Sequence, residues 1–170
     1  MAQGPDDKRI GLIAGGGQFP SLFSVKAARK GYRVFAAGFN GETDPGLSSD
    51  VHQLEMIYIG QVNRLIKYFR KNSVTEAVML GSISKLNIFK DIRPDLKALT
   101  FIAKNVRTHD DQVLTAFADL MLKEGITIRP STFLLPELIS PEGCWTKRKP
   151  DKAELKDIYQ GWDIAKQIGR

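Results

Sequence analysis

The sequence predicts an α/β fold, a parallel sheet with helices on both faces, and three observations predict it. Short apolar runs alternate with stretches of helical periodicity, the pattern of strands linked by crossover helices. The first run, Ile10 to Ala14, ends in Gly15, Gly16 and Gly17 and passes at once into an amphipathic segment. The runs that read as strands also end on glycine elsewhere, at Gly38 to Gly41 and at Gly81-Ser82. In open α/β sheets ligands bind beyond the carboxyl ends of the strands, so these glycines mark one crevice. The predicted architecture is therefore Rossmann-like, followed by a proline-rich connector and a C-terminal helix.

The elements follow in order. Residues 10–14 read as the first strand and 19–30 as the first helix, with Phe19, Leu22, Phe23 and Ala27 on its stripe and Gly31 as its stop. Tyr32 to Gly38 is a second buried strand, and the Gly-, Pro-, Asp- and Ser-rich residues 40–49 are a loop. Residues 51–59 hold one or two short strands. Val62, Leu65, Ile66 and Phe69 place a helix over 60–71, and 76–80 is a strand closed by Gly81. Leu96, Leu99 and Ala103 give a further helix. In 110–124 apolar residues occur on most sides (Val113, Leu114, Phe117, Leu120, Met121), which predicts burial on several faces. Residues 126–128 read as the last strand. Residues 130–150, with four prolines, are irregular, and a helix over 151–168 carries the stripe Leu155, Ile158, Tyr159, Trp162 and Ala165. So bulky a stripe needs a covering surface: the preceding domain, a second copy in a homodimer, or something further downstream. The expected organisation is a disordered tail at 1–8, a Rossmann-like domain at 9–130, and a connector with its helix at 131–170.

Composition narrows the function. A chain of 170 residues with 42% hydrophobic and 26% charged residues is ordinary for a globular domain. No run of about 18 apolar residues occurs, so no transmembrane helix is expected, and the opening residues do not read as a signal peptide. The single Cys144 has no internal disulfide partner, which favours a cytoplasmic setting. The net charge of +6 favours anionic partners. Its excess is uneven. Lys85, Lys90, Arg93, Lys97, Lys104 and Arg107 form one cluster, and Lys147, Arg148, Lys149 and Lys152 a second. Neither is interleaved with aromatics and no nucleic-acid module motif occurs, which argues against nucleic acid as the partner.

The glycine turn suits a phosphorylated ligand. Glycine lets a ligand approach the backbone, and the helix that follows offers free N–H groups and a partial positive charge. The dinucleotide fingerprint is half met: Gly15 and Gly17 fit its first two glycines, Pro20 stands at the third, and neither Asn40 nor Glu42 is well placed as the ribose acid. A nicotinamide-binding oxidoreductase is thus the weaker reading, and a tight turn without a ligand is the bland one. Thr108, His109, Asp110 and Asp111 carry metal-ligand chemistry suited to magnesium or manganese. The same residues serve equally as an N-cap and acidic first turn of the next helix. Cys144 has no base near it and reads as a small packed residue. Thr146 and Lys147, after Gly143, pair a hydroxyl with an ammonium and suit phosphate oxygens or, equally, a surface loop. Trp145 stacks on a base or packs on the sheet.

Several segments in this order carry a family resemblance. They are Ile13 to Pro20 (IAGGGQFP), Gly81, Arg93-Pro94-Asp95, Asp110-Asp111, Leu134 to Leu138 (LLPEL) and Pro141 to Lys147 (PEGCWTK). Together they resemble the UDP-2,3-diacylglucosamine pyrophosphatase family of lipid A biosynthesis over residues 9 to 170. The resemblance implies a cytoplasmic, metal-dependent hydrolase that cleaves UDP-2,3-diacylglucosamine to UMP and 2,3-diacylglucosamine 1-phosphate (lipid X), peripheral to an anionic inner-membrane surface. It implies substrate-binding roles for Gly15, Gly16, Gly17, Gly81, Ser82, Thr146 and Lys147, and metal binding by Asp110 and Asp111 with magnesium or manganese. Where the family pattern has a glycine before the acidic pair, this chain has His109. In the family the catalytic aspartate belongs to a C-terminal domain that would follow Arg170. No catalytic residue is expected within the chain, and the chain alone is expected to be inactive. A non-catalytic nucleotide-binding module is the alternative.

Overall fold

A computed structural model describes residues 8–84, 92–105 and 110–169, without the side chains of residues 104, 105 and 110–112. The described chain falls into two compact units, divided between Leu138 and Ile139. In the first, five strands form one sheet: β1 (Lys8–Ala14), β2 (Tyr32–Phe39), β3 (Gln53–Ile57), β4 (Glu76–Leu80) and β5 (Thr127–Arg129). Their order is β3-β2-β1-β4-β5 and every pairing is parallel. The chain therefore reverses direction across the sheet between β1 and β4, and the carboxyl ends of those two strands form the switch point where ligands bind in such sheets.

Helices cover both faces, as the sequence predicts. Helix α1 (Phe19–Arg29) lays Phe23 and Ala27 on the face that carries Ile10, Leu12, Val34, Ala36 and Val78. Helices α2 (Val62–Lys71) and α4 (Asp110–Lys123) cover the opposite face, where Leu65, Ile66, Phe69 and Met121 meet Ile13, Phe35, Ala37 and Ala77. The near-continuous apolar strands follow from this two-sided burial.

Helix α3 (Leu96–Asn105) forms where its spacing predicts, with Leu96 and Leu99 exposed and Ala98 buried. One helical expectation is corrected. Helix α4 is not buried on several faces. Met121 is fully buried, whereas Leu114 and Leu122 are exposed. Leu122 faces away from the core, and Leu114 borders a cavity instead of a packed neighbour.

The second unit is irregular up to α5 (Lys152–Ile168). Asp151 and Glu154 form a capping box at its start, and Arg148 makes a two-pronged ion pair with Glu154 at 2.8 Å. Its stripe residues Ile158, Tyr159 and Trp162 are exposed. Cys144 is also exposed, not packed. Its Sγ lies 3.3 Å from Thr146 Oγ1 and 3.4 Å from the carbonyl oxygen of Arg148, within a turn that exposes the thiol.

Candidate functional site

The glycine turns after β1 and β4 are stitched to each other. Gly15 N–H donates to the carbonyl of Leu80 at 2.8 Å, and Gly16 N–H to that of Ser82 at 2.7 Å. Ser82 N–H returns a bond to Gly16 at 3.1 Å. The approach leaves no room for side chains. A Cβ on Gly15 would stand 2.4 Å from the backbone oxygen of Ser82, and one on Gly81 would stand 2.6 Å from that of Gly16. Gly81 also has a φ of +91°, which a side chain rarely adopts. The structure thus brings Gly15, Gly16, Gly81 and Ser82 together.

That stitching divides the labour within the triple glycine. The amides of Gly15 and Gly16 are consumed by the opposing loop. Gly17, with a φ of +92° and open space where a Cβ would lie, is the member a ligand can reach. The N-cap Gln18 makes no side-chain cap. Among the described residues the N–H groups of Gly17, Gln18 and Phe19 have no partner, as at a free helix start. Pro20 sits in the first turn and loses nothing there, since its missing N–H would have been an orphan.

Gly15 borders two cavities. One is an open groove between the loops after β1 and β2, of about 1110 Å³, reached by Gly17, Gln18, Ser21, Asn40, Glu42 and Asp50. Its carboxylates are occupied. Ser21 donates to Asp50 at 2.5 Å, Glu42 accepts from the N–H of Ser84 at 3.1 Å, and Asp44 accepts from that of Gly46 at 2.8 Å. Thr43 pins this loop to β1 by donating to the Ala14 carbonyl at 2.6 Å.

The other cavity, of about 910 Å³, lies on the opposite side of the turn. Its floor is the sheet face of Ile13, Phe39, Ile57, Met79 and Ile128. Leu65 of α2, Phe101 of α3 and Phe117 of α4 form its sides, the two phenylalanines meeting edge to face at 6.2 Å. The glycine turns and residues Ile59 to Gln61 form its rim. The sequence alone did not reveal this cavity. Its lining comes from five strands and helices spread over more than a hundred positions, and each residue reads as core when taken alone.

The other candidates belong to the second unit or lie outside the described residues. His109 and Thr108 lie outside the described residues, and so do the side chains of Asp110 and Asp111. Asp110 opens α4, one turn before Val113 and Leu114 reach the apolar cavity. Among the described residues no three His, Cys, Asp or Glu side chains cluster as metal ligands. Thr146 and Lys147 belong to the second unit. The Thr146 hydroxyl donates to the Arg148 carbonyl at 2.7 Å, and the Trp145 indole N–H donates to that of Pro141 at 2.8 Å. Both are therefore held by their own loop, while Lys147 is exposed. No helix of the described residues is long and apolar enough to cross a membrane.

Comparison with known proteins fits this geometry. Residues 9–138 match the model of the LpxI N-terminal domain. Over 166 residues the chain is 28% identical to the UDP-2,3-diacylglucosamine pyrophosphatase LpxI of Caulobacter vibrioides, an alignment that covers 96% of this chain and 58% of that protein. The chain therefore spans less than two thirds of that relative's length.

Proposed function

The chain belongs to the LpxI family through its N-terminal domain, and on that premise we propose that it supplies substrate recognition to a hydrolase. That hydrolase cleaves UDP-2,3-diacylglucosamine to UMP and 2,3-diacylglucosamine 1-phosphate. The observation that carries the reading is the open turn at Gly17, which leaves three amides without a partner among the described residues at the positive end of α1, at the switch point of the sheet. A pyrophosphate is the ligand class suited to it. In this reading Gly17 supplies amide contact, whereas Gly15, Gly16, Gly81 and Ser82 shape the wall behind it. Thr146 and Lys147, in the second unit, are proposed as further substrate-binding residues.

Asp110 and Asp111 are proposed to hold magnesium or manganese, which when bound would offset charge developing on the transferred phosphoryl group. The hydrolytic group belongs, in this proposal, to the part of the relative's length that this chain does not span. A cytoplasmic setting, contact with an anionic inner-membrane surface and self-association through α5 complete the proposal.

The test is UMP release from UDP-2,3-diacylglucosamine with magnesium or manganese. The chain by itself should bind UMP, measured as a rise in melting temperature, and release none from the substrate. A protein extended to the relative's length should turn over and should lose activity with a chelator. An inactive extended protein, with metal present, overturns the reading. Stabilisation by NAD in place of uridine nucleotides favours the oxidoreductase alternative, and a chain that releases UMP unaided refutes the division of labour.

A further inference from the structure

We propose that α3 is the surface by which the first unit lies on an anionic lipid bilayer, its exposed leucines entering the headgroup boundary and Arg93 meeting the phosphates of bulk lipid. This rests on the membrane contact in the reading above and names the face that makes it. A surface helix ordinarily turns its apolar side to the core and its polar side to water. In α3 the outer side is apolar as well. Ala98 is buried and Phe101 meets Phe117 edge to face, so these two mark the inner side. Leu96, Leu99 and Ala103 recur three and four residues apart, share the opposite side and are all exposed. Leu96 is 80% exposed, Leu99 51% and the adjoining Ile102 42%. An apolar face of this kind marks a contact surface.

Charge beside that face selects what covers it. From Ser82 to Arg107 the sequence carries six basic residues against Asp91 and Asp95. Asp95 is engaged within the domain. It caps two helices at once, accepting from Asn63 N–H at 2.6 Å and Ala98 N–H at 2.9 Å. Lys97 is held by Glu124. Arg93, exposed just before α3, rests its guanidinium over the Tyr58 ring at 3.8 Å and has no carboxylate partner among the described residues. The backbone fixes this end of the helix twice. Arg93 N–H donates to the Ile59 carbonyl at 2.9 Å, and Asp95 N–H donates to that of Gly60 at 3.1 Å. The outer face of α3 carries aliphatic side chains and no Trp or Tyr, the residues that anchor protein partners. Leucines beside a surplus of cations match a leaflet instead: the acyl boundary takes the leucines and the lipid phosphates take the charge. Ten residues are too few to cross a bilayer, so α3 lies along its plane.

Flotation of the chain with vesicles of phosphatidylcholine, with and without phosphatidylglycerol, tests this. The chain should float with the anionic vesicles, far less with the neutral ones, and less as salt is raised. Replacing Leu96 and Leu99 together by Ala should weaken binding by roughly tenfold or more, with the melting temperature unchanged because both are exposed. Leu122→Ala, the same truncation at an exposed leucine of α4, should leave binding unchanged. Arg93→Gln should weaken it by about fivefold, the worth of one cation at a charged leaflet, and Arg93→Lys should restore it, since a leaflet asks for charge and not for a fork. Equal binding to neutral vesicles, or a double leucine variant that floats as before, would overturn the proposal. So would a chain that ignores vesicles and self-associates through these leucines in sedimentation, which gives the face to a second copy. Failure here is separable from failure of the reading above. Lost flotation with the UMP shift intact refutes only the membrane face, and a lost UMP shift with flotation intact refutes only the nucleotide site.

Discussion

The two ends of the sheet are held by different means. At the carboxyl end, backbone meets backbone: Gly15 and Gly16 bond to Leu80 and Ser82, with no side chain between. At the amino end, charged side chains do the holding. Arg9 donates to the Asn72 carbonyl at 2.8 Å, and the Glu124 carboxylate, just before β5, receives Arg70 at 2.7 Å and Lys97. Backbone contact fixes position to a fraction of an ångström and tolerates no added atom. Exposed charges tolerate substitution and respond to pH and salt. The end built for geometric exactness is the end that carries the candidate site.

The sharpest way to break this contrast is to add one methyl group at the stitched end. Gly81→Ala places a Cβ 2.6 Å from the Gly16 oxygen at a φ of +91°. It should cost about 3 kcal/mol, from overpacking and backbone strain together, and lower the melting temperature by roughly 6 to 12 °C. Gly15→Ala should match it, since its Cβ meets the Ser82 oxygen. Thermal unfolding with no loss in either variant would show that the loops can separate freely.

Next in size is the capping carboxylate. Asp95→Ala removes the acceptor for the first turns of both α2 and α3. A lost cap costs on the order of 1 kcal/mol, so the pair should cost about 2 kcal/mol. Asp95→Asn should recover most of it in a urea titration. A loss no larger than that of a surface substitution would mean that only one of the helices depends on the cap.

These two cases also mark how far the sequence could be read. Alternating periods, glycine stops and the triple glycine gave strands, helices and the switch point, because those signals are local. The pairing of Gly16 with Ser82 joins positions 66 apart, so the loss of the Gly15 and Gly16 amides as phosphate donors was not legible. Asp95 read only as part of the segment Arg93-Pro94-Asp95, and its second helix, beginning at Val62, lies far upstream. The exposure of Leu114 depends on the cavity beside it, whose walls come from distant elements.

Gly17→Ala separates the two roles of the triple glycine. The added Cβ meets nothing, so only the φ of +92° opposes it, at about 1 kcal/mol. Its effect on UMP binding should be larger than its effect on stability, because the methyl group stands where the ligand approaches. Melting curves with and without UMP measure both effects. A variant that keeps its full UMP shift would move the nucleotide away from this turn.

The smallest effect belongs to the amino end and appears as a pH dependence. The Lys97 hydrogen bond, aided by the charges of Lys97 and Arg70, holds the Glu124 carboxyl below its ordinary value of 4.5. Its folded pKa is therefore lower than its unfolded one. The stability it contributes is complete above about pH 4.5 and is lost as pH falls through the folded value. Glu137 beside Lys26 and Glu154 beside Arg148 shift in the same direction and add to the slope. Glu124→Gln should thus lower the melting temperature slightly at neutral pH, remove part of the acid-side slope, and leave UMP binding unchanged. If it weakens UMP binding, the amino end is coupled to the site and the division between the two ends fails.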